Sequence, residues 1–283
     1  MATLREIKQK IGSIGKIGRV TNALEIVSLN RIKKIESVTL NCRFYFEKIR
    51  EVVFGVADNV IYQSHPLLEK RDIKTTGLIV VASDKGLCGG FNSSIFEKFR
   101  EFTSSEDLKI KLVCFGRKGA NFFKSGNKTE LLRCFNSSIK KEPLADCREI
   151  ALELSGMFID KKIDSLHIIY NKFRTHLLGK AVVAQLLPVG LERQKKIKRV
   201  RDYRYEPSVG DVLDGLLKEY LVSQIYQTIL ESNTAEEMAR MFAMKQASDN
   251  AKEIIDRLIL NYHKTRQAVI TKEILDIMAA SNL

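Results

Sequence analysis

Proline is nearly missing from this chain. The only four are Pro66, Pro143, Pro188 and Pro207, so residues 1–65 and 208–283 contain none. A proline inside a helix costs about 3 kcal/mol, and its absence leaves room for long helices at both ends. Cysteine is sparse too. The five, Cys42, Cys88, Cys114, Cys134 and Cys147, are odd in number and nowhere form C-x-x-C. That argues against a disulfide frame or a zinc site and for reduced, mostly buried thiols. No apolar run approaches the roughly 18–20 residues of a bilayer span. Residues 1–10 lack the apolar core of a secretory signal. His65, His167, His176 and His263 are scattered without H-x-x-x-H spacing. No catalytic constellation can be assembled from these residues. The expectation is a chain with no catalytic residues, no metal and no cofactor.

What is present is a substantial core and an uneven charge. Apolar residues make up 45% and charged residues 29%, with a formal net charge of +13, the composition of a folded protein and not of a disordered one. The first 50 residues hold 11 Lys/Arg against 4 Asp/Glu, whereas 208–283 hold 8 against 11. Opposite signs favour pairing of the two ends, although each exposed contact contributes on the order of a few tenths of a kcal/mol. The positive excess points to an acidic partner.

Apolar spacing also favours pairing. Leu4, Ile7, Ile11 and Ile14, and then Ile35, Val38, Cys42, Tyr45, Ile49, Val52 and Val56, alternate steps of three and four as in a coiled-coil seam. Between them Gly12, Gly15 and Gly18 form a small face that lets a neighbour approach closely and weakens the helix. Toward the other end run Leu213, Leu217 and Tyr220, then Met241, Met244, Ala247, Ala251, Ile254 and Leu258, then Ile270, Ile274 and Ile277. Ser232, Asn233 and Thr234 ahead of Glu236 and Glu237 resemble a capping box, which predicts a break or kink near Asn233. A run of about 50 helical residues spans about 75 Å, more than a globular core is thick, and such a helix is marginal unless it pairs.

The middle alternates differently. Strand-like runs cover 77–83, 110–115, 166–170 and 182–187, with helical segments at 92–102, 118–124 and 144–159, Pro143 standing as a first helical residue. This order predicts an open α/β sheet with mixed or parallel pairing. The predicted domains are 1–65, 66–207 and 208–283. The turn at 83–92 (S-D-K-G-L-C-G-G-F-N) lies where phosphate loops occur. It lacks Gly-Lys-Ser/Thr and G-x-G-x-x-G, so a tight strand-to-helix turn is the simpler reading. Asp84 and Cys88 are the only pair there resembling an activated site. Residues 193–204 (R-Q-K-K-I-K-R-V-R-D-Y-R) hold seven basic side chains in twelve. They suit a solvated loop, or an anionic surface or nucleic acid, although no nucleic-acid reader motif accompanies them.

At 241–274 the sequence becomes specific: M-F-A-M-K-Q-A-S-D-N-A-K-E-I-I, then N-Y-H-K-T-R-Q-A-V-I-T-K-E-I. This resembles the C-terminal signature of the gamma subunits of F-type rotary ATP synthases, A-M-x-x-A-T-D-N-A followed by Y-N-x-x-R-Q-A-x-I-T-x-E. Three further stretches match in the same order: 83–92, G-R-K-G at 116–119, and 205–208 through 230–232. Residues 7–34 match in pattern. The chain departs from the family at Leu24, where a methionine is usual, and at 234–241, which lacks the serine and histidine of S-E-H-A-A-R-M.

The resemblance implies an open α/β (Rossmann-like) domain inserted between terminal helices paired as a long antiparallel coiled coil. It implies a central-stalk rotor: an asymmetric axle inside three alpha and three beta subunits, bound to the epsilon subunit and the membrane c-ring, passing the ring's proton-driven rotation to catalytic sites elsewhere. It further implies a peripheral location on the cytoplasmic side of the cell inner membrane, with no nucleic acid as partner. Residue by residue, Arg240, Arg266, Gln267, Thr271 and Glu273 match family positions that contact neighbouring subunits, as polar groups on the shaft surface that couple rotation to catalysis. A diverged paralogue with weak or sodium-linked coupling, and a coiled-coil nucleic-acid binder, are the rival expectations.

Overall fold

The proline-free ends are helical in the computed structural model, which describes residues 3–59, 65–104, 108–124, 129–135, 143–174, 177–190 and 205–281. The elements in order are α1 (Leu4–Asn59), a 3-10 turn (Pro66–Leu68), β1 (Thr75–Val81), α2 (Phe91–Ser104), β2 (Lys109–Phe115) and α3 (Arg117–Phe123). There follow β3 (Thr129–Phe135), α4 (Pro143–Ile159), β4 (Ser165–Arg174), β5 (Leu177–Leu187) and α5 (Val209–Ser281).

Both long helices start at side-chain caps. The Glu6 backbone N–H donates to Thr3 Oγ1 (3.3 Å), and the Thr3 N–H donates back to Glu6 Oε2 (3.1 Å), the reciprocal arrangement of a capping box. At α5 the Asp211 N–H donates to Ser208 Oγ (3.1 Å), and that hydroxyl donates to the Asp211 carboxylate (2.6 Å). The break expected near Asn233 does not occur: α5 is continuous from Val209 to Ser281. The Thr234 hydroxyl donates to the Leu230 carbonyl one turn back (2.8 Å) instead of capping a new helix. Ser232, Asn233 and Thr234 are all buried, so packing overrides their local preference.

The sheet has the order β3-β2-β1-β4-β5. The first four strands are parallel, and β5 returns antiparallel to β4, the mixed pairing expected. Strand β3 escaped the sequence reading. Its T-E-L-L-R-C-F pattern alternates poorly because it is an edge strand, with only Leu131, Leu132 and Phe135 packed against the core. Successive residues of the central strands go to opposite faces. Leu78, Val80, Leu112 and Cys114 meet Phe91, Ile95 and Phe99 of α2 and Phe123 of α3. Ile79, Val81, Val113, Leu166 and Ile168 meet Cys147, Ile150, Leu154 and Phe158 of α4. That second cluster also takes in Val53 and Val56 of α1 and Leu213, Leu217, Leu221, Ile225 and Ile229 of α5.

The chain divides into two compact units, 31–239 and a second formed by 1–30 with 240–283. In the larger unit Phe46 stacks on Tyr220 (5.4 Å between centroids) and Arg31 pairs with Glu237 (3.0 Å), so the α5 partner moves up as α1 moves down: antiparallel. In the smaller unit a Cβ added at Gly18 would lie 3.4 Å from the Ala251 Cβ, and one at Gly15 would lie 4.0 Å from Ile255 Cδ1, the same sense. Gly18 is therefore a close-approach position, whereas Gly12 has nothing within 4 Å of a Cβ.

The seam departs from the expected stripe in detail. Ile35 and Val56 are buried and Cys42 and Ile49 half-buried, but Val38, Tyr45 and Val52 face solvent and their place is taken by Phe46 and Val53. On α5 in the smaller unit Ser248 and Ile255 turn inward where Ala247 and Ile254 were expected, Ile254 being exposed. A 3.6-residue helix drifts against a strict seven-residue repeat, so the stripe is shared with its neighbours.

Gly116 holds φ +95, and a Cβ there would stand 2.2 Å from the Ala82 carbonyl oxygen. Gly116→Ala should therefore destabilise the chain by at least about 3 kcal/mol, whereas Gly12→Ala should stabilise it by roughly 0.5–1 kcal/mol through helix propensity. Urea unfolding of the two variants measures both, and equal midpoints would contradict this reading.

Candidate functional site

The five residues expected to couple the chain to its partners all fall on α5, but they do not share one environment. Arg240 is only 6% exposed. It is an interior residue of the chain and not the surface contact the sequence suggested. Arg266, Gln267, Thr271 and Glu273 are exposed.

Around these four the helix surface is apolar. Ile270, Ile274 and Ile277, expected to close the coiled-coil seam, are 43%, 51% and 69% exposed. In the smaller unit the inward-facing residues of α5 end at half-buried Tyr262 and Thr265, and every residue of 266–278 is exposed. Helix α1 begins only at Leu4, and the last turns of α5 outrun it. At about 100° per residue, Arg266 and Glu273 lie along one line of the helix and Gln267 and Thr271 along another, with the three isoleucines in the strip between. An exposed apolar stripe rimmed by polar groups marks a docking surface.

A second feature is the turn between β1 and α2. The Ser83 N–H donates to Asn92 Oδ1 (3.1 Å), Asn92 Nδ2 donates to Ser83 Oγ (2.7 Å), and that hydroxyl donates to the Lys85 carbonyl (2.8 Å). The Lys118 N–H donates to the Ser83 carbonyl (3.0 Å), and the Arg117 N–H donates to Asp84 Oδ1 (3.1 Å). The stretches 83–92 and 116–119, separate in sequence, are thus one hydrogen-bonded knot at the carboxyl edge of the sheet. Asn171 of β4 ties α2 into it, donating to the Phe91 carbonyl (3.0 Å) and accepting from Ser94 Oγ (3.1 Å). The polar groups of this knot are used on one another, which is the chemistry of a rigid turn. The sequence held one signal for the join: Gly116, whose φ no other residue adopts cheaply.

His65 is structural: its Nδ1 accepts from the Leu67 N–H (3.2 Å), and its Nε2 lies 3.5 Å from Asp214 of α5. Burial pulls its pKa below the ordinary value, partly opposed by Asp214. The basic run 193–204 and His176 lie outside the described residues. Among the described residues no helix is long and apolar enough to cross a membrane.

The chain thus joins two long helices through an inserted α/β domain, with a solvated apolar stripe on the final turns of α5. A family model described as ATP synthase matches residues 3–282, and the chain belongs to this family, that of the gamma subunits of F-type ATP synthases. Its fold is similar to chains in structures of the Euglena gracilis mitochondrial ATP synthase. One, from OSCP/F1/c-ring in rotational state 3, has a TM-score of 0.67 and 14% identity, covering 99% of this chain and 93% of that one. Another, from the rotor in rotational state 1, has 0.64 and 15%, covering 94% and 98%. A chain from the central stalk/c-ring structure of Tetrahymena thermophila mitochondrial ATP synthase gives 0.61 and 23%, covering 81% and 99%. At these identities the likeness is one of fold.

The thiols give a test of this packing. Burial pushes Cys114 and Cys147 up to about 12, leaving roughly 1 part in 10⁴ as thiolate at pH 8. Cys134 is raised as well, by burial, but is exposed. An aromatic disulfide reagent at pH 8 should modify Cys134 first and reach Cys114 and Cys147 only on unfolding. Prompt labelling of Cys147 in the native chain would refute the core described above.

Proposed function

We propose that this chain is the rotating central-stalk subunit of a proton-driven ATP synthase, turning with a membrane c-ring and acting on catalytic sites that other subunits carry. The observation that carries the proposal is the exposed end of α5, in a chain whose family match runs almost end to end. A solvated stripe of Ile270, Ile274 and Ile277 is unfavourable at about 25 cal/mol per Å² of apolar surface, and a close-fitting collar removes that cost. The collar is three alpha and three beta subunits. The epsilon subunit and the c-ring bind the α/β domain, and the assembly lies at the cytoplasmic face of the cell inner membrane, with this chain peripheral to the bilayer.

The mechanism follows from symmetry. A helix pair has no three-fold axis, so inside a three-fold collar it touches each catalytic subunit differently. Each contact biases that subunit's conformational equilibrium by its differential affinity for the open and closed forms. Rotation carries the bias from one site to the next. Arg266 and Glu273 on one flank of the stripe and Gln267 and Thr271 on the other supply directional polar contacts beside a non-directional apolar one. Arg240, being interior, acts by holding α5 in shape.

Two outcomes are expected. Tagged chain purified from its own cells brings alpha, beta and epsilon subunits with it; a chain that emerges alone defeats the proposal. Arg266→Glu lowers coupled ATP synthesis about tenfold or more, while the isolated subunit keeps its helix content, since exposed substitutions move stability by only about 0.5 kcal/mol. Unchanged synthesis would remove Arg266 from the coupling surface.

A further inference from the structure

Six consecutive residues of α5, 232–237, are buried. Six exceed the 3.6 of one turn, so the helix is enclosed on every side there. A helix enclosed all round is ordinarily apolar, and the preceding turns are mostly so, with Leu221, Val222, Ile225, Ile229 and Leu230 beside the buried hydroxyls of Ser223 and Thr228, each bonded to a carbonyl one turn back. The enclosed turn instead reads Ser232, Asn233, Thr234, Ala235, Glu236 and Glu237. Its one apolar side chain, Ala235, joins the cluster of Leu78, Val80, Phe91 and Ile169 on the sheet. Glu237, 10% exposed at its side chain, reaches α1 and pairs with Arg31 at 3.0 Å. One turn of α5 is therefore held by the sheet and by α1 at once.

Stability alone does not account for this chemistry. With Arg31 47% exposed at its side chain the pair is half in solvent, and such a pair adds little net stability. A polar pair adds discrimination between registers. Apolar stripes that step by three and four look alike after a shift of one heptad. The charge does not: moving α1 by seven residues would set Val38 where Arg31 stands and break the Arg31–Glu237 pair.

We propose that the polar turn 232–237, keyed by Glu237 to Arg31, is a register lock that fixes α1, α5 and the sheet in a single alignment. Arg31 and Glu237 are positioning residues. The lock is a property of the chain itself; only its consequence for torque rests on the rotor reading.

The test compares two double variants of the full chain with Arg31→Glu and Glu237→Arg alone. Spin labels at Arg43 of α1 and Gln227 of α5, with Cys42 and Cys134 replaced by serine, report the alignment. Arg31→Met with Glu237→Met should keep or raise the melting temperature, yet add a second distance population displaced along the helix by one heptad, about 10 Å. In the assembled complex that variant should synthesise ATP several-fold more slowly than it hydrolyses it, relative to the parent. The charge swap, Arg31→Glu with Glu237→Arg, should restore the single distance and bring synthesis within about twofold of the parent, while each single reversal fails on both readouts. A Met/Met chain with one unshifted distance, or a swap as defective as the single reversals, overturns the lock. A displaced population with undiminished synthesis sustains the lock and counts instead against the rotor reading.

Discussion

Helix pairing is the interaction on which everything else in this chain depends. Backbone hydrogen bonds along α1 and α5 are satisfied within each helix, but an isolated helix in water gains too little per residue to persist. Each helix survives because its neighbour covers one stripe: Ile7, Thr21 and Ser28 of α1, and Met244, Ser248 and Ala251 of α5, are buried in the smaller unit. Where the covering stops, beyond Thr265, apolar residues stand in solvent. An uncovered apolar stripe is what the proposed docking rests on.

The larger unit answers a different requirement, to close a core on both faces of its sheet. Its sheet is covered by α2 and α3 on one face and by α4 with stretches of α1 and α5 on the other. Its carboxyl edge is stiffened by the knot joining 83–92 to 116–119. In many α/β proteins that edge is where ligands enter. Here Ser83 and Asn92 are engaged with each other, and the glycine-rich segment serves as a joint.

Much of this was legible in the sequence, for identifiable reasons. The helices announced themselves by missing proline and by three-four spacing, and the sheet by runs bounded by turn residues. What misled was local chemistry under tertiary control. Ser232-Asn233-Thr234 carries the signature of a helix start but sits inside α5, because all three are buried by packing and the Thr234 hydroxyl finds the Leu230 carbonyl. Strand β3 lacked a pattern because an edge strand needs only a few core contacts. Arg240 was recognisable from its motif, yet nothing in its spacing said that it would be interior. Ile270, Ile274 and Ile277 have faultless seam spacing and no seam. Periodicity reports which face is apolar, not what covers it.

The placement of α1 and α5 at opposite ends of the polypeptide has a consequence for its biosynthesis. Helix α1 leaves the ribosome before α5, and the segment that covers its early turns follows roughly 240 residues later (Ile255 against Gly15), a delay of about ten to fifty seconds at ordinary elongation speeds. Through that interval the nascent chain carries an amphipathic helix with no mate, while the α/β segment between has all its strands in hand. A truncated product therefore lacks both the mate of α1 and the α5 side chains that close one face of the sheet. Holdase chaperones should meet the nascent chain at α1.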